Sequence, residues 1–176
     1  METQQQKVNS IAQKIALILI DRGISILKLA FHLDPILISN ESITDTLRKY
    51  FPKEPITHLD SYYYLISIEQ WKELIRADWV DTKNWLADKF DCDNFANAFA
   101  SNMSMYFEVN SVGRVYGKLY KDNKFIAYHY FNCIIDSEKR IWFFEPINDK
   151  LSEVAYQGGL ILLGGDRYEP ISFFFG

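Results

Sequence analysis

The sequence DCDNFANAFASNM, residues 91–103, decides the fold of this chain. Asp91 is a residue type favoured at the N-cap of a helix. After it, apolar side chains recur at the three- and four-residue spacing of one helix face: Cys92, Phe95, Ala96, Phe99 and Met103. The pattern predicts a helix whose first turn holds Cys92, on the side that faces the rest of the protein.

The segments that follow this helix have the composition of strands. Residues 112–120, 124–135 and 140–145 are rich in β-branched and aromatic side chains, and turn residues separate them at 121–123 and 136–137. Upstream, Ser67 and Gln70 have the spacing of a capping box and predict a helix that runs to about Ala77. Helices followed by strands on short turns predict an α+β domain with an antiparallel sheet.

Residues 1–38 form a predicted helical extension ahead of a domain that covers residues 39–176. Apolar residues recur at helical spacing from Val8 to Ile20, and a second apolar stretch reaches Phe31. Charged residues interrupt both stretches, so neither can span a bilayer, and the N-terminus lacks the basic start of a secretory signal. These helices could pack on the domain, cover a cleft or form a homodimer, and their residues do not choose between these roles.

The composition is that of a globular cytoplasmic protein. Of 176 residues, 48% are hydrophobic, which supplies a core without the help of disulfides. The formal net charge is -4 and no run of Lys or Arg forms a stripe, so we expect neither a nucleic-acid nor a membrane partner. The two cysteines, Cys92 and Cys133, are most simply interpreted as free thiols.

Cysteine in the first turn of a helix is suited to act as a nucleophile. Unpaired N–H groups and the helix dipole favour the thiolate, and the same amides can face an oxyanion. The alternative is a small buried apolar residue, the commoner role of cysteine. His129 is the candidate base, although a lone strand histidine is more often a core or edge residue. The order of Cys92 on a helix, His129 on a strand and a polar residue on the next strand favours catalysis.

Glu145 is the candidate for the residue that orients the imidazole. It closes an apolar strand before Pro146, a place that core packing explains poorly, while a strand-end carboxylate in water is an equally open alternative. Asn132 lies at an odd offset from His129, so it faces the other side of the sheet and would fix backbone or support the site from behind. The candidate oxyanion donors are the Cys92 N–H and the side chain of Asn84.

These motifs resemble those of a known family. The runs DCDNFA at 91–96, HYFN at 129–132 and EP at 145–146 are similar to the DCDDFA, HxxN and EPQ motifs of the C-terminal protease domain of mushroom chimerolectins of the Marasmius agglutinin type. The likeness covers roughly residues 67–149. It implies a papain-like fold and a Cys-His-Glu triad formed by Cys92, His129 and Glu145. Since no lectin repeat precedes the domain, carbohydrate binding is not part of this expectation.

The resemblance also implies activity that depends on calcium or manganese, with Asp93 and Asn94 among the ligands. Hard divalent cations bind several oxygens, which these side chains carry. The chain departs from the family pattern twice, because Asn94 replaces an acid and Ile147 replaces the glutamine after Glu145-Pro146. A zinc site of Cys92, His129 and Cys133 would lack the usual paired-cysteine spacing.

The function predicted from these residues is that of a cysteine hydrolase, a peptidase or amidase acting on a peptide or protein substrate. Cys92 would attack, His129 would take and return the proton, and Glu145 would hold the ring. A transglutaminase-like activity would share the acyl-enzyme step. The alternative from another class is a catalytically inactive interaction protein, of phage or mobile-element type, on the same fold.

Overall fold

The chain divides into two compact units, Met1–His32 and Leu33–Gly176. The computed structural model describes residues 31–154 and 161–176, with a few single positions before residue 31. The predicted N-terminal helices therefore lie largely outside the described residues. The second unit begins at Leu33, and its first strand begins at Ile36, within the predicted helical extension of residues 1–38.

Three α-helices and nine strands occur among the described residues of the second unit. In chain order they are β1 (Ile36–Ser39), α1 (Asn40–Arg48), β2 (Ile56–His58), β3 (Tyr62–Leu65), α2 (Ile68–Ala77), α3 (Cys92–Phe107), β4 (Val112–Lys121), β5 (Lys124–Ile135), β6 (Ile141–Glu145), β7 (Lys150–Glu153), β8 (Ile161–Leu163) and β9 (Asp166–Phe175). The structure thus confirms a domain that combines helices with β-sheet.

The strands form two sheets. The larger has the order β2-β9-β4-β5-β6-β7, with β8 also paired to β9, and the smaller joins β1 to β3. The predicted antiparallel sheet is only partly correct, because β2 lies parallel to β9. Most of the domain separates these two strands along the chain, which gives the long connection that a parallel pair requires.

Helix α3 is fixed to the centre of the larger sheet. It begins at Cys92, with Asp91 in the extended N-cap conformation, and it packs against β4 and β5. The ring of Phe99 lies 4.4 Å from that of Phe144, centroid to centroid. The side-chain amide of Asn132 donates to the carbonyl of Ala96 at 3.0 Å. These contacts hold the first turn of α3 in place relative to β5.

The capping box predicted for α2 is confirmed. The amide N–H of Gln70 donates to the Ser67 hydroxyl at 3.2 Å, and the Gln70 side chain accepts from the Ser67 N–H at 3.0 Å. Two N–H groups that the helix leaves unpaired are satisfied in this way. The helix ends at Ala77, as the pattern predicts.

Asp136 builds the turn that joins β5 to β6. Its carboxylate is fully buried and accepts the N–H of Glu138 at 3.0 Å and that of Arg140 at 2.9 Å. The same carboxylate accepts the Arg140 guanidinium at 2.8 Å and the Trp142 indole N–H at 2.9 Å. A buried carboxylate with four donors fixes the register of β6 beside β5.

We expect Asp136→Ala to lower the free energy of unfolding by about 3 kcal/mol, because it leaves a cation and several turn donors without their acceptor. Urea-induced unfolding followed by tryptophan fluorescence measures this change. The control is Glu138→Ala, whose side chain is 70% exposed and should change stability by less than about 0.5 kcal/mol. Equal stability of the two variants would contradict the role given to Asp136.

Candidate functional site

Cys92, His129 and Glu145 meet at one place in the fold. His129 lies on β5 and donates from its Nε2 to the Oε2 of Glu145 at 2.5 Å, at the end of β6. The Cys92 side chain, in the first turn of α3, lies close enough to the same imidazole to raise the pKa of His129. Because Nε2 is occupied by Glu145, Nδ1 is the nitrogen left for the thiol. The three elements that the sequence identified thus converge on one imidazole ring.

The charge state of His129 follows from its two partners. Burial acts to lower the pKa of His129, but the hydrogen bonds to Cys92 and Glu145 and the charges of both groups outweigh it and raise the pKa to about 9. His129 is therefore an imidazolium at neutral pH.

Glu145 is held by more than His129. Its side chain is only 3% exposed, and Oε2 also accepts the Tyr168 hydroxyl at 3.1 Å. Its other oxygen, Oε1, accepts the amide of Ile147 at 3.4 Å. Burial, and next the charge of Glu145, raise the pKa of Tyr168, so this hydroxyl remains a donor. Sequence reasoning missed Tyr168, since nothing in its strand distinguishes it from a core aromatic residue.

The two predicted asparagines lie in different surroundings. Asn132 is fully buried on the opposite face of β5 from His129, where it bonds to the carbonyls of Ala96 and Gly113. Asn84 is exposed on the segment between Thr82 and α3, and within the described part of the chain no hydrogen bond joins it to Cys92 or His129. The structure therefore brings Asn132 behind the site and does not bring Asn84 to it.

The residues considered as metal ligands are engaged with one another. Asp93 shares a hydrogen bond with Asp91, which together with burial raises the pKa of the Asp93 carboxyl. Asn94 uses its side-chain oxygen to accept the Asp91 N–H at 3.2 Å. Across residues 31–154 and 161–176, no group of three or more His, Cys, Asp or Glu could hold a metal ion. These side chains do not form a metal site as they stand, and the calcium or manganese requirement stays a prediction.

Cys133 lies apart from the site. It is fully buried in the core of the sheet, and burial raises the pKa of its thiol far above the ordinary value. At neutral pH this thiol therefore stays protonated, and it packs as a small apolar side chain. Cys92 is half-buried and carries the contact to His129, so the two cysteines differ in chemistry.

A polar and aromatic cleft lies beside the Cys92 region. It has a volume of about 220 Å³ and is lined by Asp93, Asn97, Arg114, Tyr130 and Phe174. Asp93 is the residue after Cys92 in α3, and Tyr130 is the residue after His129 in β5. Burial raises the pKa of Tyr130, with smaller contributions from the charges of Tyr116, Asp93 and Cys92. Cys92, His129 and Glu145 do not line the cleft themselves, and Tyr130 points to the face of β5 opposite His129, so the cleft and the imidazole lie on the two sides of one strand.

Arg114 forms the floor of this cleft. Its guanidinium donates from Nη1 to the Asn97 side chain at 3.1 Å and from Nη2 to the Gly176 carbonyl at 3.4 Å. Its buried Nε has no hydrogen-bond partner among the described residues. The buried Oδ1 of Asn132, which lies opposite Arg114 in the strand register, likewise lacks one there. One unpaired donor and one unpaired acceptor thus lie at neighbouring strand positions.

No helix in the described ranges has the length and apolar character needed to cross a membrane.

Fold and site together define a helix-and-sheet domain that carries a thiol–imidazole–carboxylate cluster next to a polar cleft. A family model described as the ricin-type beta-trefoil lectin C-terminal domain matches residues 31–163, and the chain belongs to this family. No curated protein matches the chain.

Two solved structures share the fold. One is titled as a PSL1a-E64 complex, with a TM-score of 0.61, 18% identity, and coverage of 79% of this chain and 51% of the other. The second is Polyporus squamosus lectin bound to the human-type influenza-binding epitope Neu5Aca2-6Galb1-4GlcNAc, with a TM-score of 0.59, 19% identity, and coverage of 79% and 49%. The chain spans about half the length of the structures that it matches.

These comparisons contradict the predicted function. The matched family and the Polyporus squamosus structure are described as lectins, and neither description names a hydrolase or a thiol protease. The predicted papain-like cysteine hydrolase with a peptide substrate is therefore corrected, and the inactive phage-type protein gains no support. The likeness to a chimerolectin C-terminal domain holds for the lectin family but not for a protease. A thiol, an imidazole and a carboxylate at one place do not by themselves specify a reaction.

The charge on His129 predicts a stability difference that depends on pH. The pKa of His129 in the fold, about 9, lies above the ordinary 6.5, so its proton stabilises the fold fully below pH 6.5. That contribution is lost as the pH rises through about 9. We expect the stability advantage of the wild type over His129→Gln, measured by urea unfolding, to decline between pH 6.5 and 9.

His58 supplies a control of opposite sign. Burial lowers the pKa of His58, which lies between the Thr44 hydroxyl at 2.8 Å and the Tyr63 hydroxyl at 3.1 Å. Its neutral form is favoured in the fold, so the advantage of the wild type over His58→Gln should shrink as the pH falls below 6.5. An advantage at His129 that does not change between pH 6.5 and 9 would contradict the assigned charge.

Proposed function

We propose that this domain binds a saccharide in the cleft of Asp93, Asn97, Arg114 and Tyr130, and that Cys92 acts at its edge as an activated thiol. The observation that carries the proposal is that residues adjacent in the chain form the two features. Asp93 and Tyr130 line the cleft, and their chain neighbours Cys92 and His129 make the thiol–imidazole contact. The claim about Cys92 concerns the reactivity of its sulfur and not hydrolysis.

The lining of the cleft suits a polyhydroxylated ligand. An aromatic ring such as Tyr130 offers an apolar face on which the C–H side of a sugar ring can pack. Around it, Asp93 accepts hydrogen bonds, Arg114 donates them, and Asn97 does both. A concave surface with one ring and a few converging polar groups is typical of small-ligand sites. The Polyporus squamosus lectin structure, bound to a sialylated trisaccharide by its title, supports the same ligand class.

Arg114→Ala tests saccharide binding. We expect at least a roughly tenfold loss of affinity for the trisaccharide Neu5Ac-Gal-GlcNAc, measured by isothermal titration calorimetry, because charge-assisted hydrogen bonds are lost. The control is Arg76→Ala, an exposed cation near the end of α2. Failure of the wild type to bind this trisaccharide or any member of a panel of immobilised glycans would contradict the proposal. So would an Arg114→Ala variant that binds as tightly as the wild type.

The thiol part is supported by the contacts of His129. Glu145 is buried and accepts from Nε2, which keeps the imidazolium charged beside Cys92 at neutral pH. A cysteine side chain beside an imidazole is suited to attack an electrophilic carbon. PSL1a, one of the similar structures, is titled as a complex with E64, which is an epoxide reagent. Ring opening would form a carbon–sulfur bond to Cys92, and the released epoxide oxygen would take the proton held by His129.

E64 labelling therefore tests the reactivity of Cys92. We expect a single covalent adduct by intact-protein mass spectrometry, absent in Cys92→Ala and retained in Cys133→Ala, the matched control at the buried cysteine. His129→Gln should slow labelling by roughly a hundredfold, in the range of general acid–base effects. Labelling of Cys92→Ala, or a labelling rate in His129→Gln equal to that of the wild type, would contradict the activated thiol. Neither result would bear on the proposed saccharide binding.

A further inference from the structure

Five aromatic rings form a continuous row on one face of the β4–β5 hairpin. From the cleft outward they are Tyr130, Tyr116, Tyr128, Phe125 and Tyr120. Ring centroids are 5.1 Å apart for Tyr116–Tyr130 and 5.6 Å for Tyr116–Tyr128. The row continues at 5.5 Å for Phe125–Tyr128 and 5.9 Å for Tyr120–Phe125. We call this set the aromatic row.

The strand register explains why these rings share a face. Tyr116 lies opposite Tyr130, and two residues further along Lys118 lies opposite Tyr128. Side chains two positions apart on a strand point to the same side. A shift in the pairing after Leu119 then brings Tyr120 opposite Phe125, so the row reaches the end of the hairpin.

The outer part of the aromatic row is open to solvent. Phe125 is 51% exposed and Tyr128 is 57% exposed. Contiguous apolar surface of this kind is uncommon on a monomeric protein unless it binds something. The inner end, Tyr130, is also a wall of the saccharide cleft. Cleft and row are therefore one continuous surface.

We propose that the aromatic row extends the cleft, and that the ligand is an extended oligosaccharide chain rather than a single sugar. This inference rests on the proposed saccharide binding. At about 3.3 Å per strand residue, the row adds roughly 13 Å between Tyr116 and Tyr120. Successive sugar rings of one chain can pack on successive aromatic rings along that length.

Polar groups along the row fit a saccharide chain. Glu169 accepts the Lys118 ammonium at 3.2 Å and the Tyr120 hydroxyl at 2.9 Å, so a fixed donor and acceptor pair stands among the rings. Four of the five rings are tyrosines, whose hydroxyls can bond to sugar hydroxyls at the ring edge. A saccharide chain, whose rings have apolar faces and hydroxylated edges, complements a surface of aromatic rings with polar groups beside them.

The end of the hairpin argues against a membrane as the occupant. Residues 121–124 are Lys-Asp-Asn-Lys, and Asp122 and Asn123 occupy the left-handed backbone region of the turn. Inserting this turn into lipid would bury its charges, which is costly. A stack of nucleic-acid bases is disfavoured by the net charge of -4.

The test uses a chain-length series on the full protein. The probes are the trisaccharide Neu5Ac-Gal-GlcNAc and longer chains that repeat its Gal-GlcNAc unit, with affinities from isothermal titration calorimetry. We expect the wild type to bind the longer chains roughly tenfold more tightly than the trisaccharide. Tyr128→Ala should remove this gain and leave trisaccharide affinity unchanged.

Tyr62→Ala is the matched control, because Tyr62 is 59% exposed on β3, away from the row. It should keep the full gain with chain length. Affinity that does not rise with chain length, or a Tyr128→Ala variant that weakens trisaccharide and long chains equally, overturns the inference while the saccharide cleft stands. Absence of all glycan binding defeats the proposed function itself. Binding to phosphatidylserine vesicles that Tyr128→Ala abolishes, without any chain-length effect, assigns the row to a membrane and overturns the inference.

Discussion

The buried contact between His129 and Glu145 is the constraint on which the site depends. A carboxylate that is 3% exposed is costly unless it is paired, and Glu145 gains an imidazolium and the Tyr168 hydroxyl as partners. The pair exists because the Asp136 turn fixes β6 beside β5. Cys92 reaches the same imidazole because α3 begins at that residue and is fastened to the sheet behind it by Asn132.

Local signals were enough to predict α2, α3, β4, β5 and β6, since each carries its own cap, period or turn. The segment 36–65 carries only weak local signals, because β1, β2 and β3 are three or four residues long and gain their stability from partners distant in sequence. The parallel pairing of β2 with β9 is likewise a tertiary event. Tyr168 and Arg114 belong to strands whose faces only the assembled sheet defines.

The meeting of Cys92, His129 and Glu145 was anticipated from residue order, but its function was not. Chemistry at a sulfur atom follows from its immediate neighbours, whereas the ligand is chosen by the surface around it. In the proposed function that surface is the cleft at Arg114 and the rings that continue from Tyr130, and neither carries a sequence motif. Membership of a lectin family shifts the expectation toward saccharides, which the sequence analysis had set aside.

The most direct test of this account is the protonation of the His129 ring, read from the ¹⁵N chemical shifts of ¹⁵N-histidine-labelled protein at pH 7. The account predicts that both ring nitrogens of His129 carry protons, and that Glu145→Gln removes one of them. A neutral His129 ring in the wild type, with one unprotonated nitrogen at pH 7, would contradict the charged contact at the centre of the site.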